Sequence, residues 1–182
     1  MITEFMRDQA FAITLFGVMA CVWFAMAQED SAPKSRLPQW VGASVGLIIA
    51  ATFGVLVGRN WNTPSALDDG NWWVFGAIFI VMSVFIGAGA IFLKIRHRYR
   101  WFGWWIALCV AVHFAPLAWV FKDWSYLGLA AVQVTGLALM VPRLKRAEYE
   151  TSRLACCWLG VTFLIYSLAS AIVLLIRYGY PY

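Results

Sequence analysis

Residues 72–93 read WWVFGAIFIVMSVFIGAGAIFL, an unbroken run without a charge, followed at once by the basic stretch KIRHRYR at 94–100. A helix rises about 1.5 Å per residue, so a run of this length covers the roughly 30 Å of hydrocarbon in a bilayer. An open strand in lipid would leave backbone groups unpaired, so the run predicts a transmembrane helix. The tryptophans at one end and the cations at the other suit the two polar interfaces.

Working outward, five more runs share this character, giving predicted spans at 10–27, 40–57, 72–93, 101–121, 124–141 and 154–176. All 14 basic and 9 acidic residues lie between or beside these runs. With 63% apolar and only 13% charged residues, the composition is far from that of a soluble domain, where about one residue in four is charged. The sequence therefore predicts one all-α domain over residues 1–182, a polytopic bundle of six transmembrane helices in contact with the lipid bilayer. Its loops are too short for a soluble domain, so function must lie within the bundle or at its rims.

The net charge of +5 has a topological explanation and gives no sign of nucleic-acid binding. Loops one, three and five hold ten of the Lys and Arg residues, and the tails with loops two and four hold four. The positive-inside bias then puts the odd loops in the cytoplasm and both the N- and C-termini outside. The basic clusters of loops three and five also suit anionic headgroups. Ala25-Met26-Ala27 resembles a signal-peptidase site, but Glu4 and Asp8 against Arg7 give the wrong charge for a secretory leader, so the first run is read as a retained span.

Gly42, Gly46, Ala50, Gly54 and Gly58 recur every four residues and strip one helix face of side chains. Such a face packs backbone to backbone, either on a neighbouring helix or in a homo-oligomer seam. Two spacing matches link the halves of the chain. Gly46-Leu47 with Gly54 pairs with Gly128-Leu129 and Gly136, and Gly76-x-x-Phe79-x-x-x-Ser83 pairs with Gly160-x-x-Phe163-x-x-x-Ser167. Read together they describe a 3+3 inverted repeat with a site near the midplane, against the plainer reading that a chain rich in Gly, Phe and Ser supplies such matches by chance. In the second loop, Thr63-Pro64 as cap and first position, with a turn at Asp69-Gly70, predicts a short helix over 64–68. Trp61, Trp72, Trp73, Trp119, Trp124, Tyr126, Tyr178, Tyr180 and Tyr182 are expected as anchors at headgroup level.

Inside the spans chemistry is sparse. His113 is the histidine within a span, with Pro116 three residues on, where a missing backbone donor frees a carbonyl and bends the helix. Gln133, Tyr166, Ser83 and Ser167 are further polar groups at depth. Together these six are the candidate ligand-binding residues, lining a polar cavity. Thr162, Tyr166 and Ser170 share one face of the last span, which interhelical hydrogen bonding alone would also explain.

No Asp or Glu lies within a predicted span, so carboxylate-driven pumping lacks material. The motifs H-E-x-x-H and G-x-S-x-G are absent, and Cys21, Cys109, Cys156 and Cys157 show no metal or redox spacing. No catalytic residue, cofactor or metal is expected. Acid–base chemistry could arise only at the outer rim, from Arg59, Asp68, Asp69, Lys122, Asp123 and Arg177, where surface ion pairing is the simpler account.

The stretch from His113 through Phe114, Ala115, Pro116, Leu117, Ala118, Trp119 and Val120 to Phe121, with 59–67 (RNWNTPSAL), resembles segments of small bacterial six-span membrane proteins of uncharacterised, unknown-function families. The resemblance implies a bacterial inner (cytoplasmic) membrane setting, with the His-x-x-Pro element and the outer loop in one site, and carries no activity. The leading expectation is binding or passage, a transport role, for a small neutral or amphipathic solute near His113. Its rivals are a structural or partner-binding subunit using the Gly42 to Gly58 face, and a lipid-modifying enzyme at the outer rim.

Overall fold

A computed structural model describes residues 5–29, 31–67, 70 and 72–179, the side chains of 33 and 34 excepted. The described residues contain no strand. They form six helices: α1 Met6–Met26, α2 Pro33–Arg59, α3 Trp72–Ile95, α4 Phe102–Val120, α5 Ser125–Arg146 and α6 Ser152–Tyr178, with a single 3₁₀ turn at Tyr99–Trp101 before α4. All six are long and apolar enough to cross a membrane, so the chain is a multi-pass bundle.

The helices outrun their apolar runs. α1 takes in Arg7 and Asp8, α2 begins at Pro33, and α5 continues through Arg146. Hydropathy marks where hydrocarbon ends, whereas a helix stops only where its last carbonyls find other partners. α4 passes through Pro116 and remains one helix.

Packing is uneven. α1 lies against α2 and α6, while α4 meets α3, α5 and α6. Phe16 of α1 is fully buried at the centre, its ring 5.4 Å from Phe114, 5.5 Å from Phe163, 4.7 Å from Tyr166 and 5.8 Å from Tyr126. α3 is the outlier, packing on α4 with only Gly89 buried. A Cβ on Gly89 would stand 1.9 Å from Trp105 Nε1, and that indole donates to the Phe85 carbonyl at 3.0 Å. Gly136 of α5 holds Trp158 in the same manner, with the indole donating to the Gln133 carbonyl at 3.3 Å.

The small-residue face of α2 is occupied by α1. A Cβ on Gly46 would lie 2.6 Å from the Gly17 carbonyl oxygen, one on Gly42 would meet Phe24, and Gly54 faces Thr14. Gly58 has nothing within 4 Å.

The second loop corrects one expectation. Residues 64–67 form no helix, with a turn only at 66–67, and Asp68 and Asp69 lie outside the described residues. Asp8 Oδ2 accepts the Ala66 N–H at 2.8 Å, Arg7 donates to the Trp61 carbonyl at 2.5 Å, and Ser65 Oγ accepts the Leu67 N–H at 3.1 Å. Donors that a short helix would have left to its own first turn go to α1 and to a serine turn, so the loop lies as a strap over the start of α1.

Candidate functional site

α3 and α4 run antiparallel and present matching faces. Val74, Ala77, Ile78, Val81, Met82 and Phe85 of α3 oppose Trp105, Leu108, Cys109, Val112, His113 and Pro116 of α4, each set following the i, i+3, i+4, i+7, i+8, i+11 spacing of one helical face. The faces do not close. Trp105 seated in the Gly89 notch props them at one end, and ring contacts prop them at the other, with Phe79 5.4 Å from His113 and Phe75 5.8 Å from Phe121. Between these props lies a groove of about 450 Å³.

Its lining is apolar, with heteroatoms in the side chains of Met82, Cys109, His113 and Trp105, whose indole N–H goes to the Phe85 carbonyl. The His113 ring packs edge-on to Phe79 and 4.2 Å from the Phe114 ring, and Nδ1 bonds the Val110 carbonyl of its own helix at 2.5 Å. With Nδ1–H donating, Nε2 of a neutral ring is an acceptor. The groove thus combines a long apolar wall with a histidine among its lining residues.

The other predicted site residues are dispersed. His113 and Pro116 alone share the groove. Gln133 is fully buried between α5 and α6, donating to Thr162 Oγ1 at 2.9 Å, while its Oε1 has no partner among the described residues. Ser167 donates to the Ile13 carbonyl at 2.9 Å, binding α6 to α1. Ser83 faces outward and returns its hydroxyl to the Phe79 carbonyl at 2.8 Å. Tyr166 meets Ser125 Oγ at 2.5 Å, and that hydroxyl donates to Asp123 Oδ1 at 2.7 Å, so the tyrosine supplies the proton of the first bond. No single cavity gathers all six.

No family model, curated protein or solved structure matches the chain. Function must be argued from the site.

At the loop joining α4 to α5, burial pushes the Asp123 carboxyl up, but hydrogen bonds to it, those from Ser125 among them, hold it below the ordinary range. Trp61, Trp72, Trp73, Trp119, Trp124 and Tyr178 are exposed, as anchors would be, whereas Tyr126 is buried against Phe16 and Phe121 and so is no headgroup anchor; Tyr180 and Tyr182 lie outside the described residues. Among the described residues no three His, Cys, Asp or Glu side chains gather as a metal site would need. Sequence reasoning did not single out Trp105, Cys109 or the α3 face from Val74 to Phe85 as groove residues. The available signal was the matching helical spacing on two consecutive spans joined by a short loop, which makes them antiparallel neighbours.

Proposed function

We propose that the chain binds the apolar part of a small neutral amphiphile in the groove between α3 and α4, with His113 Nε2 accepting a hydrogen bond from its hydroxyl end. One observation carries this reading: a groove of about 450 Å³, within the size range of small-molecule sites, has an apolar lining interrupted by one histidine whose other nitrogen is already engaged. Binding is favoured over passage of a polar solute because the Gln133 amide nitrogen and the Tyr166 and Ser167 hydroxyls are spent on neighbouring helices. The subunit reading has less support, since Gly42, Gly46 and Gly54 are covered by α1.

The test is thermal stabilisation of the purified chain by monoacylglycerols of graded chain length. Wild type is expected to show a saturable rise in Tm that Ala77→Phe, which fills the groove from α3, abolishes. His113→Phe should weaken the response about fivefold, the loss of one hydrogen bond. An undiminished response in Ala77→Phe would overturn the reading.

The orientation proposed with it puts the basic loops in the cytoplasm of a bacterial inner membrane and both termini outside, supported by the ten-to-four distribution of Lys and Arg. A C-terminal alkaline phosphatase fusion should then be active in the periplasm, and an inactive fusion at normal expression would reverse the orientation.

A further inference from the structure

The basic stretch after α3 has no role in the groove. Residues 94–100 carry Lys94, Arg96, His97, Arg98 and Arg100 with no acidic residue among them. α3 ends in a tight closure, the Arg98 N–H reaching the Leu93 carbonyl at 2.8 Å and the His97 N–H reaching Lys94 at 3.1 Å, with His97 in left-handed backbone at φ 53. This 6→1 bond ends α3 abruptly and reverses the chain. The 3₁₀ turn that follows fixes Arg100, whose carbonyl accepts the Thr151 hydroxyl at 2.7 Å and whose guanidinium donates to the Leu144 carbonyl.

The reversal leaves a hollow of about 790 Å³ lined by Ala90, Ile91, Lys94, His97, Tyr99 and Arg100. It is graded, with hydrocarbon from α3 on one side and cations with a phenol on the other. None of Lys94, His97 and Arg100 has a carboxylate within ion-pair distance among the described residues. Arg100 Nε is buried and has no hydrogen-bond acceptor there. Its guanidinium meets the Leu144 carbonyl and lies 5.8 Å over the Trp101 ring, but no carboxylate among the described residues balances its charge, which favours an anion supplied from outside.

We propose that this hollow holds the phosphodiester headgroup of an anionic glycerophospholipid, with the first part of an acyl chain against Ala90 and Ile91. Phosphate chemistry alone would also admit free phosphate. The hydrocarbon side and the position at the end of an apolar span favour a lipid, whose charge adjoins its chains. Clustered basic residues at a membrane surface contribute roughly a fivefold gain in anionic-lipid affinity each. The assignment does not depend on the α3/α4 groove.

The experiment follows Tm of the full chain in neutral detergent with added short-chain phosphatidylglycerol, phosphatidylcholine of equal chain length, or inorganic phosphate. Phosphatidylglycerol is expected to raise Tm saturably, and the other two to do so weakly at equal concentration. Lys94 and His97 are exposed, so the Lys94→Gln/His97→Asn variant should fold and bind phosphatidylglycerol about tenfold more weakly. Lys94→Gln alone, the fallback, should lose about fivefold. Lys122→Gln, exposed at the opposite end of α4 and outside both basic clusters, should respond as wild type. Equal shifts by phosphatidylglycerol and phosphatidylcholine would overturn the proposal. So would inorganic phosphate matching phosphatidylglycerol, or a Lys94 variant with undiminished response.

Discussion

His97 and Lys122 both enter left-handed backbone, at φ 53 and 52, and both close a helix by the same device. The Arg98 N–H reaches back to Leu93 at 2.8 Å, and the Asp123 N–H reaches back to Ala118 at 3.0 Å. Glycine is the usual residue at this position, because a Cβ there meets backbone at a penalty of about 1 kcal/mol. His97→Gly should therefore raise stability in neutral detergent by about 1 kcal/mol, less what glycine gains in unfolded-state freedom. Denaturant titration of the purified variant reads this directly, and a loss of stability would show that the imidazole itself holds the loop. Neither left-handed residue was legible in the sequence, since histidine and lysine carry no turn signal of their own. His113 differs: its place inside an apolar run marked it as a candidate from the sequence alone, and its bond to Val110 lies within its own helix, but its contact with Phe79 depends on how two helices meet.

Among the elements, α2 shows best how a sequence pattern and its partner are separate facts. The four-residue recurrence from Gly42 to Gly58 gave the close-packing face, while α1 as the occupant emerges only from Gly17 lying against Gly46. Gly46→Ala should destabilise the bundle by roughly 1–3 kcal/mol, because its Cβ would stand 2.6 Å from the Gly17 carbonyl oxygen and neither helix can yield alone. Gly58→Ala, with nothing within 4 Å, should be neutral or stabilising by up to about 1 kcal/mol through helix propensity. Thermal unfolding of the two variants side by side checks both, and equal effects would mean that the helices do not approach at Gly46. The loop after α2 makes the opposite point. Its capping signal at Thr63-Pro64 was sound local chemistry, yet the Ala66 N–H goes to Asp8, which is 58 residues away in sequence.

Across the whole molecule, stability is concentrated on one side. α1 and α6 bury half of their apolar windows, whereas α3 buries one residue in eighteen and is tied to α4 by the Trp105 wedge and a few ring contacts. Elements with few buried contacts open at lower free energy than the core, so α3 should exchange its amide hydrogens faster than α1 or α6 in detergent. Hydrogen-exchange mass spectrometry resolved by helix measures this, and protection of α3 equal to that of α6 would contradict it. A loosely held α3 is also what the proposed binding between α3 and α4 would need in order to admit a ligand. The packing of the two halves is not equivalent, since α6 meets α4 and α5 as well as α1, while α3 rests mainly on α4.

By itself the sequence determined the number of spans, their helical nature and the segregation of charge to the rims. Those properties follow from the low dielectric of hydrocarbon, which acts on each segment locally through desolvation of charges and unpaired backbone. Only the tertiary structure decided which polar groups meet. It sent Gln133 to Thr162, Tyr166 to Ser125 and Ser167 to Ile13, and left His113 beside an apolar groove. Pairing of this kind depends on helix rotation and approach set by glycine notches and wedged indoles, whose partners are distant in the chain and which hydropathy does not encode.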